Sequence, residues 1–206
     1  MICLFLDTSS STLIVSLVKD SNLLFEKKIE SLRDHSSYLA VTVDEALKNN
    51  NLTISDLNKV FVGIGPGSFT GTRIAITFAK TICYAKNIDL IPVSSLEQFI
   101  YSFEGYDYYV PIIKERSDKL YFSIFDKEKN RIIEDSYSNE EELNNILKKY
   151  DGKMLIISED SFYDYETKKS VVDSVKLVNN LKDRKSINPH ILKPNYIKRI
   201  EVEDKL

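Results

Sequence analysis

Three glycines and one proline fall within Gly65-Pro66-Gly67-Ser68-Phe69-Thr70-Gly71. Glycine admits backbone conformations that a Cβ forbids, and proline holds its own φ near one value. An apolar run, Val60 to Ile64, leads into the loop, and a long apolar stretch, Phe69 to Ala85, leads out. A strand, a glycine loop and a helix N-terminus in that order place N–H groups and the positive end of a helix dipole at one point. The chemistry of such a point is anion binding. A second candidate is Asp7, which ends the apolar run Ile2 to Leu6 and precedes Thr8-Ser9-Ser10-Ser11. A carboxylate in a strand–turn–strand can hold Mg²⁺ or orient a water for phosphoryl transfer. Asp7, Thr8, Gly65, Gly67, Ser68, Thr70 and Gly71 are therefore the candidate nucleotide or anion contacts.

What is missing narrows that chemistry. A Walker motif needs Lys after its last glycine, and here Gly71 is followed by Thr72 and Arg73. The glycine spacing is not that of a dinucleotide fingerprint either. A turn that grips phosphate through its backbone normally contains glycine, whereas residues 8–11 are all Ser or Thr. The competing readings are structural: glycines that permit a tight turn and close helix–sheet packing, and an Asp-Ser turn closed by its own hydrogen bonds. The two histidines, His35 and His190, are far apart, with no H-x-x-x-H or C-x-x-C, so no fixed metal site is expected. His35 reads as a residue at a helix N-terminus. No G-x-S-x-G elbow suggests a nucleophile. No catalytic residue and no cofactor is assigned.

These residues must be positioned by a chain of 206 residues, enough for one large or two small domains with a real core. With 43% hydrophobic and 29% charged residues, the composition is that of a soluble globular protein. A net charge of −3 lacks the footprint of an autonomous nucleic-acid binder. No run is long enough for a membrane span, and residues 2–6 are too short for a signal-peptide core. Cys3 and Cys83 sit in apolar segments and read as buried thiols in a reducing cytosol; a cytoplasmic location is expected.

Three antiparallel strands are expected over Ile2–Leu6, Thr12–Val18 and Leu23–Ile29, then a helix His35–Lys48 capped by Ser31 or Asp34. A fourth strand (Val60–Ile64), the glycine loop, the long helix, a fifth strand (Leu90–Val93) and a helix from Ser94 to about Phe103 follow. That strand–helix–strand order implies parallel pairing by right-handed crossover. The long helix is apolar round more than one side: Ile74, Phe78, Ile82 and Ala85 on one, Ala75, Ile76, Ala79 and Cys83 beyond it. Its second face meets either this chain or a partner. Gly105-Tyr106-Asp107 reads as a boundary, dividing the chain into lobes 1–104 and 105–206. Beyond it come strands Tyr108–Ile113, Lys119–Phe125 and Arg131–Glu134, a helix Asn139–Lys149, a strand Met154–Ile157, a weak helix Ser170–Leu181 and an irregular tail. A meander followed by helix and crossover strands thus begins twice.

Leu6-Asp7-Thr8-Ser9, Asp34-His35-Ser36, Gly65 through Arg73, and Val93-Ser94-Ser95-Leu96 resemble the TsaB (YeaZ) family. The tail Leu192-Lys193-Pro194-Asn195-Tyr196-Ile197-Lys198-Arg199 is similar to that family's ending. The resemblance is specific in the first hundred residues and weak from Gly105 to Ser186. It implies an α/β fold of the actin/Hsp70/sugar-kinase type (ASKHA, ribonuclease H-like) with two related lobes. It also implies a non-catalytic partner of TsaD, the enzyme that transfers threonylcarbamoyl to N6 of an adenosine beside the tRNA anticodon. TsaD carries an H-x-x-x-H metal motif that this chain lacks. The family pairs with TsaD through the two long helices of the first lobe, is joined by the ATPase TsaE, and forms homodimers through the same surface. tRNA is met through the complex, and no membrane is involved. Carried over, the resemblance makes Tyr38, Val41, Thr42, Ile76, Lys80, Cys83 and Tyr84 candidate interface residues. The second lobe departs from the family pattern D-A-R-R-x-E-V-Y, reading Lys114-Glu115-Arg116-Ser117-Asp118-Lys119-Leu120-Tyr121.

Two main readings follow. In one the chain is a scaffold that stabilises TsaD. In the other it is an ATP-dependent enzyme of the actin/sugar-kinase type that uses Asp7 and the Gly65–Gly71 loop. A third reading, a protease, has no nucleophile-and-base arrangement behind it.

Overall fold

A computed structural model describes residues 1–30, 35–115 and 118–197. The proposed caps Ser31 and Asp34, the variant positions Arg116 and Ser117, and Lys198 and Arg199 lie outside the described residues.

Alternation of side chains builds the first sheet. In β1 (Ile2–Asp7) Leu4 and Leu6 point to one face, Cys3 and Phe5 to the other, and all four are buried. β2 (Thr12–Lys19) and β3 (Asn22–Glu30) complete an antiparallel meander, with Phe5 opposite Ser16 and Ser16 opposite Glu26. β4 (Lys59–Gly63) and β5 (Asp89–Val93) then pair in parallel, giving the order β3-β2-β1-β4-β5.

Helices α1 (His35–Lys48) and α2 (Phe69–Lys86) make the two crossovers and pack on the Leu4/Leu6 face. Ser68 caps α2, its hydroxyl accepting from the Gly71 N–H at 3.1 Å. Asn87, in the left-handed conformation, closes the other end. The next helix, α3, spans only Glu97–Ile100. The expected run to Phe103 breaks up because residues 102 and 103 bond three residues back, to Phe99 and Ile100, and Gly105 turns the chain with φ +87°.

The second sheet repeats the first in sequence order. Its strands are β6 (Tyr108–Lys114), β7 (Lys119–Asp126), β8 (Arg131–Asn139), β9 (Met154–Ile157) and β10 (Thr167–Lys168). Their order, β8-β7-β6-β9-β10, has the same antiparallel meander and parallel additions. Two such lobes define the actin/Hsp70/sugar-kinase type of fold. The repeat is degraded: α4 (Glu140–Leu147) connects β8 to β9, but only a loop connects β9 to the two-residue β10. β8 runs five residues past the expected Glu134, and Asn139 ends it as the cap of α4.

The inner faces of both sheets share a core with α3 and α5 (Ser174–Leu181): Phe5, Phe61, Ile91, Tyr109, Phe125, Leu155, Leu177 and Val178. α5 is held to the first sheet by a hydroxyl pair, Ser16 and Ser174 lying 2.8 Å apart, with one hydroxyl donating to the other and that one donating to Glu26. The tail then returns to the first lobe. Ile187 bridges the edge of β5 through Leu90, and Leu192 enters the core beneath α2.

Candidate functional site: a closed first turn and an open helix pair

The glycine loop and the Asp7 turn are in contact, and the contact is intramolecular. A Cβ at Gly63 would lie 2.4 Å from Asp7 Oδ1, one at Gly67 2.3 Å from the Ser9 carbonyl, and one at Gly71 1.9 Å from the Thr8 carbonyl. Close approach of the first turn therefore requires glycine at 63, 67 and 71, and Gly65 is required by its φ of +90°. Hydrogen bonds seal the approach. Ser68 N–H donates to the Ser9 carbonyl at 2.6 Å, and the Thr8 hydroxyl donates to the Gly71 carbonyl at 2.6 Å. The Val93-Ser94-Ser95-Leu96 segment closes the third side: Ser95 N–H donates to the Gly65 carbonyl at 2.9 Å, and its hydroxyl to Ser9 at 2.7 Å.

Asp7 is fully buried behind this seal. Its carboxylate accepts from Ser9 N–H at 2.8 Å and Gln98 Nε2 at 2.7 Å. Burial pushes its pKa up, against the pull of those hydrogen bonds. An open cleft of about 1730 Å³ lies between the lobes, lined among others by Ser9, Gly65, Gly67, Ser68, Gln98, Lys114 and Tyr196. Of the seven candidate anion contacts, Gly65, Gly67 and Ser68 reach this cleft. Asp7, Thr8 and Gly71 are enclosed, and Thr70 faces a different depression. Three of the seven candidate contacts thus line the cleft, while the Asp7 carboxylate points into the protein. His35 is buried, with Nε2 3.0 Å from the Ser10 carbonyl. Among the described residues no cluster of three or more His, Cys, Asp or Glu could hold a metal.

The other opening is a groove of about 600 Å³ between α1 and α2, lined by Ser36, Leu39, Ala40, Phe69, Ile74, Thr77, Phe78 and Ile82 among others. Beside it Val41 is 65% exposed, Tyr84 66%, Phe69 52% and Tyr38 45%. Large apolar side chains thus form an exposed patch along two neighbouring helices. Three of the seven candidate interface residues do not belong to it. Thr42, Ile76 and Cys83 are buried, Ile76 and Cys83 in the core against the sheet. Burial raises the Cys83 thiol to about 12 and the Cys3 thiol to about 11. Lys80 is engaged by the tail, its ammonium donating to the Leu192 carbonyl at 3.1 Å, and the Tyr84 ring meets His190 edge-on. The second face of α2 is thus shared between the tail and open surface.

A buried polar network that no sequence pattern announces lies on the lobe boundary. Glu97 of α3 takes Arg184 through both carboxylate oxygens, the Tyr101 hydroxyl at 2.8 Å, and Arg131 at 3.5 Å. Burial raises Glu97, but these hydrogen bonds and charges outweigh it and hold the carboxyl below the usual range. Arg131 also pairs with Asp135, which accepts from Ser123 and from Asn195 of the tail. These residues are scattered from 97 to 195, so no local spacing could have found them.

The model of the family TsaD: tRNA N6-adenosine threonylcarbamoyltransferase matches residues 28–195. The tRNA threonylcarbamoyladenosine biosynthesis protein TsaB of Bacillus subtilis (strain 168) is 25% identical, covering 100% of this chain and 97% of the relative. The TsaB of Haemophilus influenzae is 29% identical over 62% of this chain and 55% of its own length. YeaZ from Pseudomonas aeruginosa superposes with a TM-score of 0.77 at 19% identity, over 95% of this chain and 99% of that one, which speaks for the fold. Matched by the family model over most of its length, and aligned with TsaB from end to end, the chain belongs to the TsaD family of tRNA threonylcarbamoyladenosine proteins and, within it, to the TsaB (YeaZ) group.

Proposed function

We propose that the chain is a non-catalytic subunit in the formation of N6-threonylcarbamoyladenosine in tRNA, and that it binds and stabilises a TsaD-type catalytic subunit. The observation that carries this reading is the contrast between the two openings. The Asp7 turn, where a relative of this fold would act on phosphate, is enclosed by its own hydrogen bonds. The α1–α2 groove is apolar and open. An ATP-dependent enzyme built on Asp7 is not favoured, because a fully buried carboxylate engaged on both oxygens cannot reach a metal–phosphate group.

On this reading Tyr38, Val41 and Tyr84, with Phe69 and the groove between them, are the partner surface of residues 1–104, and the chain alone pairs with a second copy through it. TsaE joins the pair, and tRNA is reached through the assembly in the cytoplasm. Gly65, Gly67 and Ser68 remain the candidate anion contacts within the cleft.

The test is Ala40→Arg, an exposed groove residue on a helix where Arg is a good helix former. Co-purification with the TsaD subunit of the same organism should be lost while the far-UV spectrum and melting temperature stay those of the parent. Retained pairing would remove the groove from the proposal. Hydrolysis of ATP by the isolated chain at about 1 per second or faster would overturn the scaffold role.

A further inference from the structure

The tail joins the open helix pair to the polar network between the lobes, and it does so through two adjacent residues. Tyr196 stacks on Phe69 at 5.4 Å between ring centroids, and its hydroxyl accepts from Arg73 Nε at 2.6 Å. The Arg73 guanidinium lies 3.8 Å above the Phe69 ring. Phe69 and Arg73 line both the α1–α2 groove and the cleft between the lobes, so this stack stands where the two openings meet. Asn195 is engaged in the opposite direction. Its N–H donates to the Ile64 carbonyl at 2.7 Å, at the root of the glycine loop. Its side-chain amide donates to Asp135 Oδ2 at 2.7 Å. Asp135 pairs with Arg131, and Arg131 lies 3.5 Å from Glu97, so one amide completes a link from the first lobe through the tail to β8 of the second.

The two halves of this link differ in rigidity. The Asp135 side chain is only 9% exposed, and loss of the Asn195 amide would take the donor from Oδ2 while Arg131 and Ser123 stay on Oδ1. The Phe69 and Tyr196 rings are half exposed, so they can shift or be covered at little cost. Phe69 and Arg73 line the groove, so a protein seated there meets two members of the stack whose third member, Tyr196, is the neighbour of Asn195.

We propose that residues 195–196 couple occupancy of the α1–α2 groove to the fit between the lobes, Tyr196 sensing the bound protein and Asn195 transmitting to Asp135. The occupant is the TsaD-type subunit, so the inference rests on the function proposed above. Binding fixes the stack, tightens the Asn195–Asp135 bond, and stiffens β8 on the far side of the molecule.

Amide hydrogen exchange on the full chain, alone and with the TsaD subunit, tests this. Binding should slow exchange in 36–48 and 69–86 directly, and should also slow 131–139 by about fivefold, the scale of an ordinary coupling between sites. Asn195→Ala should reduce the effect at 131–139 to below about twofold while leaving protection of the two helices. Tyr196→Ala, at an exposed ring, is the second variant should loss of the Asp135 donor unfold the chain, and it should have the same effect. Ile191→Ala, at an exposed tail residue, should behave as the parent. Helix protection with no response at 131–139 in the parent, or a response that survives both variants, overturns the coupling and leaves the interface standing. Absence of helix protection overturns the interface and the coupling together.

Discussion

The Thr8 hydroxyl donates to the Gly71 carbonyl at 2.6 Å, and the Thr8 carbonyl occupies the point 1.9 Å from where a Cβ at 71 would be built. The first turn and the first turn of α2 thus interlock through backbone, which cannot be moved by turning a rotamer. Gly71→Ala should destabilise the protein by about 3 kcal/mol or more, the range of a severe steric defect. Urea unfolding measures it. A loss under about 1 kcal/mol would mean that the two turns separate readily.

Asp7 gives a prediction with a defined sign. Burial raises its folded pKa above the ordinary value of 3.8, so the folded state holds the proton more tightly than the unfolded chain. Stability from this group is therefore greatest below the unfolded value and falls as pH rises through the folded one. Asp7→Asn removes that penalty. Gln98 Oε1 is buried without a partner, and rotation of the Gln98 amide would let it accept from the new side chain. The variant should match or exceed the parent at neutral pH, and its advantage should shrink on acidification. Unfolding midpoints at about pH 4 and about pH 7 decide it. Pairing with TsaD should be unchanged.

Two substitutions on the same helix pair separate core from surface. Ile76→Glu places a charge among the sheet-facing side chains of α2 and should prevent folding, because an unpaired carboxylate in that core has no compensation. Val41→Arg, at a 65% exposed position, should leave the melting temperature within about 2 °C and weaken pairing with TsaD at least tenfold. A folded Ile76→Glu protein would contradict the burial of that face, and a Val41→Arg protein with parental affinity would remove Val41 from the partner surface.

Arg184→Met breaks the bidentate pair with Glu97 and leaves a carboxylate buried. The expected loss is about 2 to 3 kcal/mol, below that of a fully buried pair, since Arg131 stays at 3.5 Å and Arg184 is itself partly exposed. Glu97 is held below the usual carboxylate range, so its contribution is present above its unfolded value and disappears as pH falls through the folded one. The difference between variant and parent should accordingly narrow in acid. Denaturant titrations across pH supply the check.

Where local pattern carries the information, the sequence was sufficient. Alternating Leu4, Phe5 and Leu6, the β-branched run of β2, and the glycine loop between an apolar strand and helix placed the elements of the first lobe to within a residue or two. Ser68 and Asn139 emerge as the caps of α2 and α4 only in the structure, although each cap is a contact across three residues. The four-residue α3 and the two-residue β10 were missed or overdrawn, because their limits are imposed by the elements they pack against.

The sequence alone determined that a glycine loop launches an apolar helix, that no metal or nucleophile motif accompanies it, and that two meander-and-crossover units follow one another. It left open which groups that loop serves and which side of α2 is free. Only the tertiary structure decided these. Thr8 and Ser9 meet the glycines from more than fifty residues away, Arg131 and Arg184 meet Glu97 across the lobe boundary, and Asn195 meets Asp135. The tail engages Lys80 and stacks Tyr196 on a half-exposed Phe69, while Val41 stays bare. Periodicity reports that a side chain is apolar and which way it faces on its own element. Whether sheet, tail or solvent lies opposite depends on contacts distant in the chain, which exist only once the elements have packed.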